Sequence, residues 1–407
     1  MSASTSGAST SALCWTEPAP VKHVPFDKLL PLLRAGTAAA PENADRALQL
    51  AKTLFHADRM AELVERFRSG TARDDAGAEL LYYLGCAATV TGDRALAVDA
   101  LRAAADKGFD AAFGHLAEAL RRVERPDDAL GAALRGLERA PSDFKSLGMV
   151  VRLLLDRGEP ERLWNICTSL LARGGWNAYV PSAMALAATT PAQHAQVAAL
   201  VDSPRWFAAV QLGAPNEVDG ALAAELLAHA SLAPLPSTKA TSGTGNRIDH
   251  LQIAAGPRAR DLLERICTAV DAYALQRKHD TAHPAIAHRP ASVALNAWAL
   301  AVHDDGHEDW HMHPGGWISG VYYVAVPHLD PHEGEHRGAI EFGPFPFGTE
   351  RSAPSWPRTF VTPQAGMLLL FPSFYGHRTW PTRVADPRIV VAFDVVPAPA
   401  PAPPQPA

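Results

Sequence analysis

Histidine is concentrated in one part of this chain. Ten of its 17 histidines, His279 through His336, fall within a single 58-residue stretch. Two metal-binding patterns overlap there. His307-Glu308-Asp309-Trp310-His311 matches H-E-x-x-H, in which two histidines on one helix face hold zinc and the glutamate serves as base. That chemistry requires a helix, yet Gly306 precedes the run and Pro314, Gly315 and Gly316 follow it, which leaves room for about two turns at most. The second pattern is His311-Met312-His313 at a strand end, where side chains two residues apart share a face and both imidazoles can grip one ion. His377, just beyond the apolar run Met367 to Phe371, is the third candidate ligand, and Asp309, on the same strand face, is an alternative carboxylate ligand. Arg388 opens the last apolar strand. Three protein groups on one face of iron(II) leave positions open for a keto acid and O2. A fixed arginine can pair through two hydrogen bonds with a distant carboxylate of such a co-substrate. The plain alternative for Arg388 is a structural salt bridge.

The elements that must position these groups divide the 407 residues into two parts. Between about residues 42 and 202 apolar stripes of helical period alternate with turns, and the pattern recurs every 34 residues. Ala61, Ala95, Ala129 and Leu163 keep that spacing, as do Leu96, Leu130 and Trp164, with Gly92-Asp93, Pro126-Asp127 and Pro160-Glu161 in the preceding turns. A helix–turn–helix unit of this length resembles the tetratricopeptide repeat. Each hairpin exposes an apolar face that only a stacked neighbour buries, so about four hairpins form a solenoid. From 203 to 397 the pattern predicts a short strand over Trp206 to Leu212, a helix over Val218 to Ala230, a loop over Pro234 to Arg247 and a helix over Pro257 to Gln276. Strands follow over Ser292–Val302, Trp317–Val326, Ala339–Phe342, Met367–Phe371 and Ile389–Val396. Helices followed by strands, without βαβ alternation, give an α+β or barrel-like domain rather than a doubly wound sheet. Residues 1–41 read as a disordered leader, its start made only of Ser, Ala, Thr and Gly, and 398–407 as a Pro/Ala-rich tail.

Composition narrows the function classes. With 37 Lys+Arg against 43 Asp+Glu the net charge is −6, which offers no global field for nucleic acid. Four scattered cysteines without a C-x-x-C pair exclude a disulfide framework or zinc ribbon. With neither a signal-peptide pattern nor a membrane-length apolar run, the expectation is a cytoplasmic protein that contacts neither membrane nor nucleic acid. His279, His283, His288, His303, His328, His332 and His336 read as solvated or hydrogen-bonded, Trp298 and Trp310 as packing residues, and Arg378 and Arg383 as solvated.

The ordered series His311-Met312-His313-Pro314, Ser319-Gly320-Val321-Tyr322-Tyr323, Gly366, Phe371-Pro372-Ser373, His377 and Arg388 resembles the 2-oxoglutarate/iron(II)-dependent oxygenases that carry N-terminal tetratricopeptide repeats. Lys239-Ala240-Thr241 and Trp298 add to the likeness, which spans roughly residues 205 to 397. It implies a double-stranded β-helix (jelly roll) with packing helices, iron(II), 2-oxoglutarate and O2 as cofactors, and hydroxylation of a substrate. The ligands it implies are His311, His313 and His377, with Arg388 on 2-oxoglutarate. By strand register, Ser319, Val321 and Tyr323 share the inward side with His311 and His313, which makes Tyr323 either a contact of the co-substrate or an ordinary core tyrosine. His313 stands where that family's pattern has a carboxylate, and Val390 where a Ser or Thr is frequent. The site is therefore read either as three histidines or as one that includes Asp309. The repeats suggest a peptide or protein partner. The competing expectation is a silent, repeat-based scaffold with a degenerate barrel.

Overall fold

The computed structural model describes residues 13–16, 26–68, 77–214, 217–235, 240–330, 334 and 336–398. The start of the expected leader, the end of the expected tail, Lys239 and His332 lie outside them. The described residues fall into two compact units. One draws on 22–180 with 347–349, the other on 1–21, 181–346 and 350–407.

The first unit is a run of helical hairpins. After α1 (Phe26–Ala39) come α2 (Ala44–His56) and α3 (Met60–Phe67), α4 (Ala78–Thr91) and α5 (Arg94–Asp106), α6 (Ala112–Arg122) and α7 (Pro126–Arg139), and α8 (Phe144–Asp156) and α9 (Pro160–Ala172). The turns that the repeat predicts are where the helices break. Gly92 ends α4 in the left-handed region at φ 83°, and Asp93 then caps α5 by accepting the Leu96 N–H. Pro126 and Pro160 open α7 and α9, where a missing N–H costs no helical bond. Close crossings rest on small residues: a Cβ on Gly85 would stand 2.5 Å from Leu101 Cγ, which pins α4 against α5. The expected leader is overturned over Phe26–Ala39, which is helical, with Leu30 buried. Arg34 on α1 grips the Glu62 carboxylate of α3 with Nε and Nη2 at 2.7 and 2.6 Å.

The second unit contains the strands β1 (Ala208–Gln211), β2 (Ala233–Pro234), β3 (Thr241–Ser242), β4 (Gly245–Ile248), β5 (Val293–Val302) and β6 (His307–Glu308). They are followed by β7 (Ile318–Ala325), β8 (Ile340–Gly343), β9 (Thr359–Val361), β10 (Met367–Pro372), β11 (Gly376–Thr379) and β12 (Arg388–Pro397). A seven-stranded antiparallel sheet runs β1-β10-β7-β12-β5-β4-β2, a smaller one β11-β8-β9, and β3 pairs β6. The two larger sheets make the jelly roll, and the helix Pro257–Gln276 covers the outside of the major one. Its Leu262, Ile266, Val270 and Tyr273 share a core with Tyr322, Val324, Leu368, Leu370 and Val391. Both faces of β7 and β10 are thus covered, which explains why their sequences are almost unbroken apolar runs.

Three local expectations change. Pro234 to Arg247 is not all loop: Pro234, Thr241–Ser242 and Gly245–Ile248 are short strands that extend the sheet edge or pair with β6. Trp206 belongs to the short helix Ser203–Trp206, and only Ala208–Gln211 is strand. The leader is also ordered over 13–16, where the Thr16 N–H donates to Val293 O and the Val293 N–H to Cys14 O, each at 2.8 Å. Among the described residues no helix is long and apolar enough to cross a membrane.

Candidate metal centre

The sheets bring together residues far apart in sequence. His311 and His377 form an antiparallel bridge and exchange both backbone hydrogen bonds, at 2.9 and 3.0 Å. Residues paired this way project from the same side of the ladder. His313, two residues beyond His311, returns to that side. One ligand atom from each of the three imidazoles lies within 4.8 Å of the others, so His311, His313 and His377 can hold one metal ion.

Their hydrogen bonds fix which nitrogen faces the centre. His311 Nδ1 meets Asp309 O at 2.7 Å and His377 Nδ1 meets Tyr375 O at 3.0 Å. A carbonyl only accepts, so both Nδ1 atoms carry the proton and both Nε2 lone pairs are left for a metal. His313 Nδ1 donates to Asp394 Oδ2 at 2.9 Å, while Asp394 Oδ1 accepts from Ser319 Oγ at 2.6 Å, itself 2.8 Å from Ser373 Oγ. Burial, then the neighbouring His311 and His313, hold His377 well below the ordinary imidazole value, and burial lowers His311 as well. Burial also pushes His313 down, but the charge and hydrogen bond of Asp394 outweigh it and the net shift is upward. Neutral imidazoles with occupied Nδ1 atoms are a donor set suited to a divalent transition metal.

The cavity beside the triad is walled by alternate residues of the major sheet. Trp298, Leu300 and Val302 come from β5, Ser319, Val321 and Tyr323 from β7, and Arg388, Val390 and Ala392 from β12. The inward face expected for Tyr323 is found, while Tyr322 packs in the outer core. Where β7 meets β12 the register slips by one residue, because Ala325 and Tyr323 oppose the consecutive Ile389 and Val390. Such a bulge re-aims nearby side chains, and here it lies beside Arg388 and Tyr323. Arg388 is 3% exposed. Its Nη1 donates to Gly338 O at 3.0 Å and Trp380 O at 3.4 Å, and among the described residues no carboxylate lies within ion-pair distance of it. The structural salt bridge considered for Arg388 is thus absent among those residues. A buried guanidinium without a contacting carboxylate is costly; this one lines the cavity that the triad borders, where the charge of Glu308 reaches it from beyond ion-pair distance.

As the flanking Gly and Pro imply, H-E-x-x-H does not lie on a helix: His307–Glu308 is strand, and His307 turns toward Asp305 O and Asp309, outside the triad. The zinc-peptidase geometry is therefore missing. Other expectations need correction. Asp309 is also turned away, accepting from Ser242 Oγ at 2.6 Å. Trp298 does more than pack: its indole stacks on His313, with ring centres 5.4 Å apart and planes 13° apart, and among the described residues its buried Nε1 has no hydrogen-bond partner. Arg378 is only partly solvated: it pairs with the buried Glu341 at 2.7 Å and lies over Trp310 and Trp380. Asp394 was missed altogether. Its signal was an acid at an inward position of an otherwise apolar strand, in phase with Arg388, Val390 and Ala392.

Residues 296–394 match the family described as "Putative 2OG-Fe(II) oxygenase". No curated protein matches the chain by sequence. Among solved structures, a prolyl-4-hydroxylase from Pseudomonas putida aligns at 17% identity over 50% of this chain and 99% of that one, with a TM-score of 0.34. The α-ketoglutarate-dependent epimerase SnoN from nogalamycin biosynthesis aligns at 17% over 51% and 85%, TM-score 0.33. YrrB, a TPR protein with an unusual peptide-binding site, aligns at 17% over 38% and 81%, TM-score 0.31.

Proposed function

We propose that the 2-oxoglutarate/iron(II) oxygenase-family domain at residues 296–394 is an active dioxygenase that hydroxylates its substrate. In this reading His311, His313 and His377 hold iron(II), and Arg388 holds the distal carboxylate of 2-oxoglutarate. The observation that carries it is the buried Arg388, without a carboxylate partner among the described residues, in the cavity that the three histidines border. A barrel that had lost its chemistry would have little use for a buried cation that makes no ion pair among the described residues, which weighs against the silent scaffold.

When bound, iron(II) and the keto acid supply the oxidising chemistry: one O2 is consumed, 2-oxoglutarate leaves as succinate and CO2, and the second oxygen atom is inserted into a C–H bond. The chain supplies position and environment. Asp309 O, Tyr375 O and Asp394 orient the three imidazoles through Nδ1. The apolar walls Leu300, Val321, Val390 and Phe371 keep water from the reaction. Tyr323, whose hydroxyl burial keeps protonated, stands near Arg388 and offers a donor to the co-substrate. For the helical unit we assign capture of a peptide or protein substrate, because stacked hairpins present an extended concave surface.

The test is calorimetric titration of 2-oxoglutarate into the manganese-loaded chain, where no turnover occurs. Charge-assisted hydrogen bonds are worth about 1.5–3 kcal/mol each, so Arg388→Ala should weaken binding roughly 10- to 100-fold. Arg388→Lys should recover part of this, since an ammonium lacks the planar fork. Manganese affinity should not change. Equal 2-oxoglutarate affinity in wild type and Arg388→Ala would remove the co-substrate role.

A further inference from the structure

Three carboxylates stand near the triad, and two of them are engaged. Asp394 accepts from His313 and Ser319, and Asp309 accepts from Ser242 and faces His307. Glu308 differs. Its side chain is 17% exposed and lines the cavity, yet among the described residues its oxygens accept no hydrogen bond and meet no lysine or arginine at ion-pair distance. Its Oε1 lies 4.0 Å from His311 Nε2. The backbone at this point is fixed: Glu308 pairs with Thr241 across β3, and its N–H donates to Thr379 Oγ1 at 2.8 Å. The chain therefore holds, beside His311 in the cavity that the histidines border, a carboxylate with no hydrogen bond or ion pair to a lysine or arginine among the described residues.

We propose that Glu308 is a fourth ligand of the metal in the resting protein, supplying the anionic oxygen that His311-Met312-His313 lacks. The proposal rests on the triad reading above. With metal–ligand bonds of about 2.1 Å, adjacent donors of an octahedral ion stand about 3.0 Å apart and opposite ones about 4.2 Å. The 4.0 Å between Oε1 and His311 Nε2 is within that span for one of the three histidines; as placed, Glu308 stands outside the group of ligand atoms, so coordination requires its side chain to turn toward the ion. Charge gives the reason. A divalent ion held by three neutral imidazoles, beside the buried Arg388, leaves excess positive charge in a poorly solvated site, and Glu308 offsets it. Six positions minus three histidines leave three, all of which the co-substrates need. Glu308 is accordingly a ligand that 2-oxoglutarate displaces.

The experiment loads the full-length chain with cobalt(II) and compares wild type with Glu308→Gln, Glu308→Ala and His377→Ala. It records cobalt affinity, the visible ligand-field spectrum, thermal unfolding without metal, and 2-oxoglutarate affinity of the loaded protein. Both Glu308 variants should lose roughly tenfold or more in cobalt affinity. They should also show an altered spectrum and bind 2-oxoglutarate no more weakly than wild type, with metal-free unfolding unchanged. Wild-type cobalt affinity and an unchanged spectrum in Glu308→Gln and Glu308→Ala, with His377→Ala impaired, overturn the role of Glu308 alone. Wild-type affinity in His377→Ala overturns the triad as well.

Discussion

Asp394 sits behind His313 and never needs to touch the metal, so replacing it isolates the contribution of a positioning group. Asp394→Asn keeps the shape of a side chain only 11% exposed, and an amide oxygen can still accept from His313 Nδ1. What disappears is the negative charge that lifts the His313 pKa against burial, together with half of the acceptor capacity now used by Ser319. A less basic, less firmly oriented imidazole is a poorer ligand. Loss of such an outer partner typically costs 10- to 100-fold in metal affinity, about 1.4–2.7 kcal/mol. Manganese or cobalt titration followed by calorimetry should show that loss. It should vanish in a His313→Ala background, because Asp394 acts only through His313 and the two effects are not additive. An Asp394→Asn protein that binds metal as wild type does, or a full additional loss in the double variant, would refute this argument.

Other consequences of the structure are open to measurement. His377→Ala removes a ligand rather than its support, so metal affinity should fall by more than the roughly 10- to 100-fold of an outer partner, as seen by metal analysis after gel filtration. A fragment covering 181–398 should unfold at higher temperature than one covering 203–398. The shorter one loses Ser182 Oγ as acceptor for the Phe345 N–H and Leu200 O as partner of His283, both at 2.9–3.0 Å; equal melting temperatures would contradict this. Glu62 provides a pH test of the helical unit, because its hydrogen bonds to Arg34 hold its pKa at about 2, below the usual 4.5. A depressed carboxylate pKa stabilises fully above 4.5 and loses its effect as pH falls toward 2. The melting-temperature gap between wild type and Glu62→Gln should therefore be widest near neutral pH and close below pH 3.

The repeats and the strands were legible because they are periodic. Spacing of 34 residues revealed the hairpins, and β5, β7, β10 and β12 are long apolar runs between Gly and Pro. His311 and His313 share a face by the two-residue period of a strand, and Arg388 opens β12. Less of the carboxylate chemistry could be read. Asp394 is 81 residues from His313, so only the completed sheet brings them together. Glu308 shows in the sequence only within a zinc pattern that needs a helix, and Asp309, the alternative carboxylate by strand phase, is held by Ser242 of β3 instead. That pairing depends on a strand of two residues, too short to leave any period. The docking of residues 13–16 was equally hard to read, because its pairing with Val293 uses backbone groups that every sequence has and its side-chain anchor, Trp15 Nε1 on Asp271, joins residues 256 apart.

The central claim is that the three histidines and Arg388 form a working oxygenase centre, and the most direct test is stoichiometry. The full chain, reconstituted anaerobically with iron(II) and then given 2-oxoglutarate and O2, should release succinate and consume O2 in equal amounts. The rate should collapse in His377→Ala and in Arg388→Ala, with Arg388→Ala alone restored by raising the 2-oxoglutarate concentration. A folded, iron-loaded protein that forms no succinate, with and without candidate peptide substrates, would contradict the account.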